Sequence, residues 1–355
     1  MDFALTSYLG QVAAHPLLLV STLLTLGVIF FNGCTDATNA IATCIGTRAI
    51  RPKAAVAMSA GFNMLGVIVM TLLSSKVSET ISSLVNLNVE GAEDPTKLAM
   101  LALCAALISI CTWSAMAIRL GMPTSESHAL VAGLVGSSVA LHGNFSGVSG
   151  AELSKVLYGL LLSTVLGFAV GFLFCKIVAF LFRNADRRHT TGFFRGAQIF
   201  GGAAMSFMHG AQDGQKFLGV MILGAFIANG VEVSAATPAL WMMLICSAFM
   251  ALGTSIGGYK IIKSVGMDMV KLEPYQGFAA DMAGAFCLLL SSVFGIPVST
   301  THTKTTAIMG VGATKRLSAI RFSVVKDMVL TWVFTFPGCG IISFLITKVL
   351  LLIFA

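Results

Sequence analysis

Asn32-Gly33-Cys34-Thr35-Asp36-Ala37-Thr38-Asn39 lies inside a long apolar run, and a related stretch, His209-Gly210-Ala211-Gln212-Asp213-Gly214-Gln215-Lys216, lies inside another. A second motif is also duplicated, as Gly121-Met122-Pro123-Thr124-Ser125-Glu126-Ser127-His128 and Gly295-Ile296-Pro297-Val298-Ser299-Thr300-Thr301-His302. Asp36 precedes Pro123 by 87 residues and Asp213 precedes Pro297 by 84. A pair of polar, ionisable motifs repeated at membrane depth points to a transporter built from two halves.

Composition supports a membrane setting. Of the 355 residues, 56% are hydrophobic and 10% charged, with mean hydropathy +0.90. A soluble domain carries roughly a quarter charged residues, so this apolar fraction needs lipid as its solvent. The 36 glycines suit close helix packing in a bilayer. The net charge of +7 resides in short basic clusters between apolar runs, where it sets orientation and gives no sign of nucleic-acid binding. The eight cysteines lie in or beside apolar runs without metal-like spacing and read as small buried hydrophobes. The first apolar run lacks a basic leader and is expected to be a retained span.

Apolar segments long enough to cross about 30 Å of hydrocarbon recur. They are expected at 16–47 (broken at the first motif), 54–75, 98–118, 123–141, 153–182, 196–228 (again broken), 238–258, 275–294, 297–314 and 323–354. The runs are too long for barrel strands and do not alternate. Basic loops form at Arg48, Arg51 and Lys53, at Arg183, Arg187, Arg188 and Arg195, at Lys260, Lys263 and Lys271, and at Lys315, Arg316, Arg321 and Lys326. The 76–97 loop, with Glu79, Glu90, Glu93 and Asp94, is net acidic. All basic loops share the cytoplasmic side only if each half crosses an odd number of times. The expectation is therefore an all-α integral membrane protein of about ten spans, arranged as two five-span inverted-topology repeats with broken or re-entrant helices. Residues 1–185 form the first repeat, 186–195 a basic cytoplasmic linker and 196–355 the second repeat, together one transport domain.

A carboxylate near mid-span costs roughly 3 kcal/mol even on the lenient insertion scale. Asp36 and Asp213 repeat that cost at matching places, beside Asn32, Thr35 and Asn39 in one copy and Gln212 and Gln215 in the other. Such oxygens suit Na⁺, and a carboxylate can instead carry a proton. One buried Asp can serve packing, but two equivalent ones argue for function. Pro suits the first turn of a helix, which would place Thr124, Ser125 and Ser127, and Ser299, Thr300 and Thr301, at helix starts. Free N–H groups, the positive dipole end and hydroxyl donors make an anion site there. Taken singly, each could be an ordinary N-cap.

Other residues stay open at this level. Glu126 could repel an anion, hold a proton or bind a cation. Lys216 shares a helix face with Asp213 and serves either as a local ion pair or as a cationic group for the anion. His128 and His302 read as packing residues, with no metal site implied. Asp281 and Lys304 also sit in apolar surroundings and are secondary candidates. Monohydrogen phosphate suits the site better than sulfate, because its hydroxyl can donate to a carboxylate.

With these motifs in hand, the chain resembles the inorganic phosphate transporter (PiT) family. Its duplicated G-A-N-D-x-x-N-A signature aligns with Gly33 to Ala40 and with Gly210 to Lys216, and its P-x-S-x-[ST]-H motif with Pro123 to His128 and Pro297 to His302. Gly257 to Ile262 and Gly277 to Asp281 also look like the family's second half. Thr35 and Gln212 stand where the pattern has Asn before Asp, and Gln215-Lys216 where Asn-Ala is commoner. The resemblance implies cation-coupled phosphate uptake through an inverted-repeat membrane domain, and a homodimer. It implies that Asp36, Asn39 and Asp213 serve cation and phosphate binding, and that Ser125, Ser127, Ser299, Thr300 and Thr301 contact phosphate.

The combined expectation is symport of inorganic phosphate with Na⁺ or H⁺ across the plasma (cell inner) membrane, with no other cofactor and no catalysis. Phosphate is expected to meet Thr124, Ser125, Ser127, Gln212, Gln215, Lys216, Ser299, Thr300 and Thr301. The coupling cation is expected at Asp36, Asn32, Thr35, Asn39 and Asp213, with Na⁺ at Asp36, Asn39 and Asp213. A sulfate permease of the same architecture is the alternative. An intramembrane aspartyl-type enzyme is the reading from another class, and it leaves the hydroxyl motifs unexplained.

Overall fold

The computed structural model describes residues 3–354 other than 90, 92, 123, 235 and 258, with the backbone alone for 187–189, 259 and 260. Glu90, Pro123 and Gly258, and the side chains of Arg187, Arg188 and Lys260, therefore lie outside the described residues. The regular structure of the described residues is helical, and one isolated bridge, Val85–Val148, is the only extended pairing among them. In chain order the helices are α1 (Leu5–Ala14), α2 (Pro16–Gly46), α3 (Pro52–Leu73), α4 (Lys76–Ser82), α5 (Pro95–Leu120), α6 (Glu126–His142) and α7 (Gly150–Leu181). There follow α8 (Arg187–His209), α9 (Gln215–Ala228), α10 (Leu240–Ile256), α11 (Tyr259–Lys263), α12 (Pro274–Val293), α13 (Thr300–Ala313) and α14 (Phe322–Phe354).

Six of these, α2, α3, α5, α7, α12 and α14, are long and apolar enough to cross a membrane, and α10 with the segment after it makes a seventh if the pair, bent by 76°, is one span. The sequence explains their limits. Pro opens α2, α3, α5 and α12, where its missing N–H leaves no bond unmade. Asp94 caps α5 by accepting from Lys97 N at 2.9 Å. Much of α7 and α14 faces outward through Leu161, Phe180, Phe334 and Leu352, a surface for lipid.

The interior surrounds α2, which packs against α3, α5, α8, α9, α10, α12 and α13. Leu18, Val28, Ile29, Leu103, Leu107, Ile110, Leu134, Phe217 and Met250 form the main apolar core beside it. Gly33 and Gly253 allow α2 and α10 to touch backbone to backbone, since a Cβ on either would run into the facing carbonyl of Met250 or Phe30.

Three local expectations need correction. α2 runs unbroken through the first motif, because side chains of neighbouring helices satisfy its polar groups and leave the backbone ladder intact. Nor does the second motif break its helix: α8 continues into α9 through a π-turn at Gly210–Gly214, with glycine at both ends. The helices α6 and α13 do not start at proline: Ser125 and Ser299 are the N-caps, and Pro297 lies two residues ahead in non-helical backbone. A serine Oγ can accept the N–H three residues on, which a proline cannot do. The basic stretch at 186–195 is largely helical, since α8 begins at Arg187.

Candidate functional site

Spacing on α2 places Asn32, Asp36, Asn39 and Thr43 three or four residues apart, hence on one helix face. That face meets the π-turn and the starts of α6 and α13. Each serine cap holds its own helix, Ser125 Oγ accepting from His128 N at 3.4 Å and Ser299 Oγ from His302 N at 3.1 Å. The caps also touch each other, Oγ to Oγ at 2.7 Å. The two hydroxyl motifs thus converge on one point.

Both aspartates reach this point. Asp36 Oδ1 accepts from Thr301 Oγ1 at 2.7 Å, and its Oδ2 from the backbone N–H of Glu126 at 3.3 Å. The anion at the start of α6 is therefore one of the protein's own carboxylates. Asp213 Oδ2 accepts from Thr300 Oγ1 at 3.1 Å and faces His209 Nε2 at 3.3 Å. Asn32 joins the two, donating from Nδ2 to Asp213 Oδ2 at 3.0 Å and to Asp36 Oδ2 at 3.5 Å. Asn39 Nδ2 donates to Thr301 Oγ1 at 3.1 Å. Glu126 receives Thr35 Oγ1 at 3.2 Å and Ser114 Oγ at 2.7 Å. Lys216 Nζ donates to Asp213 Oδ1 at 2.7 Å, to Ser127 Oγ at 2.6 Å and to the Val298 carbonyl at 2.5 Å.

The cluster holds Asp36, Asp213 and Glu126 against Lys216, all essentially inaccessible to solvent. Like charges about 6 Å apart repel by roughly 3 kcal/mol at an effective dielectric of about 20. Such a group favours binding cations or protons, and its many hydroxyls can turn to meet an oxyanion.

Most expected site residues come together here, but some do not. Thr124 turns away, its Oγ1 3.1 Å from Trp113 Nε1 and 3.2 Å from Thr335 Oγ1. Gln215 donates to the Ser74 carbonyl at 2.9 Å, at the end of α3. Gln212 braces the lead into α13, donating to Ser292 Oγ at 2.9 Å and accepting from Val298 N at 3.4 Å. His128 and His302 pack edge to face with ring centroids 4.3 Å apart, against Phe336 and Trp332. Asp281 and Lys304 form a fully buried ion pair further along α2, with Thr43 Oγ1 2.7 Å from Asp281 Oδ1 and 3.1 Å from Lys304 Nζ.

Sequence alone gave His209 and Ser114 no role. His209 stands four residues before Asp213, as Asn32 stands before Asp36, and that register was a usable signal. Ser114, on α5, carried none.

The comparisons with known proteins agree with this picture. The profile of the phosphate transporter family matches residues 32–343. A probable low-affinity inorganic phosphate transporter of Rhizobium meliloti (strain 1021) is 37% identical, over 93% of this chain and 95% of its own length. One of the same description from Bacillus subtilis (strain 168) is 33% identical, over 90% and 94%. A solved structure of a sodium-dependent phosphate transporter superposes with TM-score 0.85 at 25% identity, covering 95% of this chain and 100% of that one.

Proposed function

The chain belongs to the phosphate transporter family and is a multi-pass membrane protein, and from that membership we propose that it is a symporter, carrying inorganic phosphate into the cell with a coupling cation. The observation that carries this reading is the single cluster in which Asn32 bridges Asp36 and Asp213 beside the paired caps Ser125 and Ser299. Catalysis is not part of it, since the cluster's hydroxyls and carboxylates are arranged to hold ions.

In this reading the chain is about ten spans in two inverted repeats, 1–185 and 196–355, joined at 186–195. The basic loops face the cytoplasm of a plasma membrane, and the functional unit is a homodimer, as the resemblance suggests. Ser125, Ser127, Ser299, Thr300 and Thr301 donate to phosphate oxygens, exchanging for them the contacts that they make within the protein. Asp36, with Asn32, Thr35 and Asn39, neutralises the coupling cation, and Asp213 stands beside it across Asn32. The solved relative is sodium-dependent, which supports Na⁺ as the driver, and H⁺ is the other coupling ion open to a buried carboxylate. Alternating access follows when one half rocks against the other about the shared cluster.

Phosphate is preferred to sulfate because the carboxylates need a donor from the anion, which sulfate lacks. The test is uptake of ³²P-phosphate into proteoliposomes under an imposed Na⁺ or H⁺ gradient, with arsenate and sulfate as competitors. Uptake above equilibrium under one gradient, reduced by arsenate and not by sulfate, is expected. Equal competition by sulfate would transfer the function to the sulfate permease reading, and no gradient-driven accumulation would refute symport.

A further inference from the structure

The two halves of the cluster differ at several matching positions, and at one of them a side-chain amide stands against an ammonium. Asn39 follows Asp36 by three residues, and Lys216 follows Asp213 by three. Each reaches a hydroxyl in the other half's motif: Asn39 Nδ2 lies 3.1 Å from Thr301 Oγ1, and Lys216 Nζ 2.6 Å from Ser127 Oγ. Thr301 and Ser127 each stand two residues after a serine cap. The two contacts are therefore counterparts.

What surrounds the two side chains differs. Lys216 Nζ sits among a carboxylate, a hydroxyl and a backbone carbonyl oxygen at 2.5–2.7 Å. This is the all-oxygen donor set that hard cations take. An ammonium has three hydrogens, and three protein oxygens engage them, so none is left for an anion. Lys216 is 1% exposed, and water cannot stand in for these partners. Asp36 meets only neutral donors, Thr301, Asn32 and the N–H of Glu126, with no ion-pair partner among the described residues.

We infer that Lys216 is a tethered cation, which permanently occupies the second-half place of a coupling ion and leaves Asp36 as the seat of the mobile one. The inference rests on the cation-coupled reading above. It gives Lys216 a task other than contact with phosphate: it lowers by one the number of ions moved per phosphate. Lys216→Asn, which copies the first half, opens a second cation seat at Asp213, and Asn39→Lys fills the first.

The experiment counts coupling cations per phosphate in proteoliposomes, from the Na⁺ or H⁺ gradient that just halts net phosphate flux. In parallel, ²²Na⁺ binding to the purified, monodisperse protein is measured, so that a variant that no longer transports is still scored. Lys216→Asn and Lys216→Gln are expected to raise the coupling count by one, and the bound sodium by one if Na⁺ is the driver. Asn39→Lys is expected to lower each by one. Counts equal to wild type in folded Lys216→Asn and Asn39→Lys would overturn the tethered cation. Wild-type protein that moves no phosphate under any gradient would instead overturn the symporter reading, a separate result.

Discussion

Ser125 Oγ and Ser299 Oγ, the N-caps of α6 and α13, lie 2.7 Å apart although 174 residues separate them in sequence. Each is simultaneously a helix cap and half of the contact that closes the centre of the molecule. Losing a serine cap costs about 1 kcal/mol of stability, so Ser125→Ala and Ser299→Ala should fold with a small loss in melting temperature. Their main effect should fall on the apparent KM for phosphate, rising roughly tenfold for each 1.4 kcal/mol of lost contact. Uptake kinetics in proteoliposomes check this; an unchanged KM in both variants would remove the caps from the substrate site.

Asp36→Asn and Asp213→Asn should both abolish gradient-driven uptake, yet differ in stability. Asp213 is the carboxylate partner of Lys216, and breaking a buried pair by removing one member costs about 3–5 kcal/mol. Asp36 has only neutral donors to lose. Thermal unfolding in detergent should therefore show Asp213→Asn much less stable than Asp36→Asn. Equal melting temperatures would contradict the charge assignment.

Asn32→Leu keeps volume and removes the amide that Asp36 and Asp213 share. Each carboxylate oxygen keeps one other donor, the Glu126 N–H or Thr300 Oγ1, so the loss is that of hydrogen bonds to charged groups, about 1.5–3 kcal/mol each. The expected result is a folded protein whose cation concentration for half-maximal uptake shifts by about tenfold or more, measured by titrating the cation at fixed phosphate. A shift of less than twofold would make Asn32 a packing residue.

The Asp281–Lys304 pair is buried completely and held by Thr43. Either Asp281→Asn or Lys304→Met alone should destabilise by about 3–5 kcal/mol, and the double variant should recover much of the loss. A double-mutant cycle on thermal unfolding tests this coupling; additive losses would show that the two residues act independently.

The sequence made much of this legible, for identifiable reasons. α2, α3, α5, α7, α12 and α14 announced themselves as apolar runs of bilayer length. Asp36 and Asp213 stood out because an intramembrane carboxylate is costly and so demands a cause. Details that depend on packing were harder to read. Proline marked the approach to α6 and α13, but the caps are serines, since the cap is decided by which oxygen faces the third N–H. Gln215 is two residues from Asp213, which puts it on the far side of a helix, facing Ser74. Thr124 precedes its cap, so no helix directs it inward. Nothing local distinguished Ser114, whose importance comes from α5 lying beside Glu126. The unbroken course of α2 depends on partners distant in sequence, such as Glu126 and Thr301.

The central claim is that both copies of the motifs build one site for one oxyanion beside cation-binding carboxylates. Equilibrium binding of ³²P-phosphate to the purified protein, with and without the coupling cation, tests it most directly. One phosphate per chain is expected, bound more tightly when the cation is present, with that dependence lost in Asp36→Asn and the binding itself weakened in Asp213→Asn. Two independent phosphates per chain, or binding that ignores the cation and survives both substitutions unchanged, would contradict it.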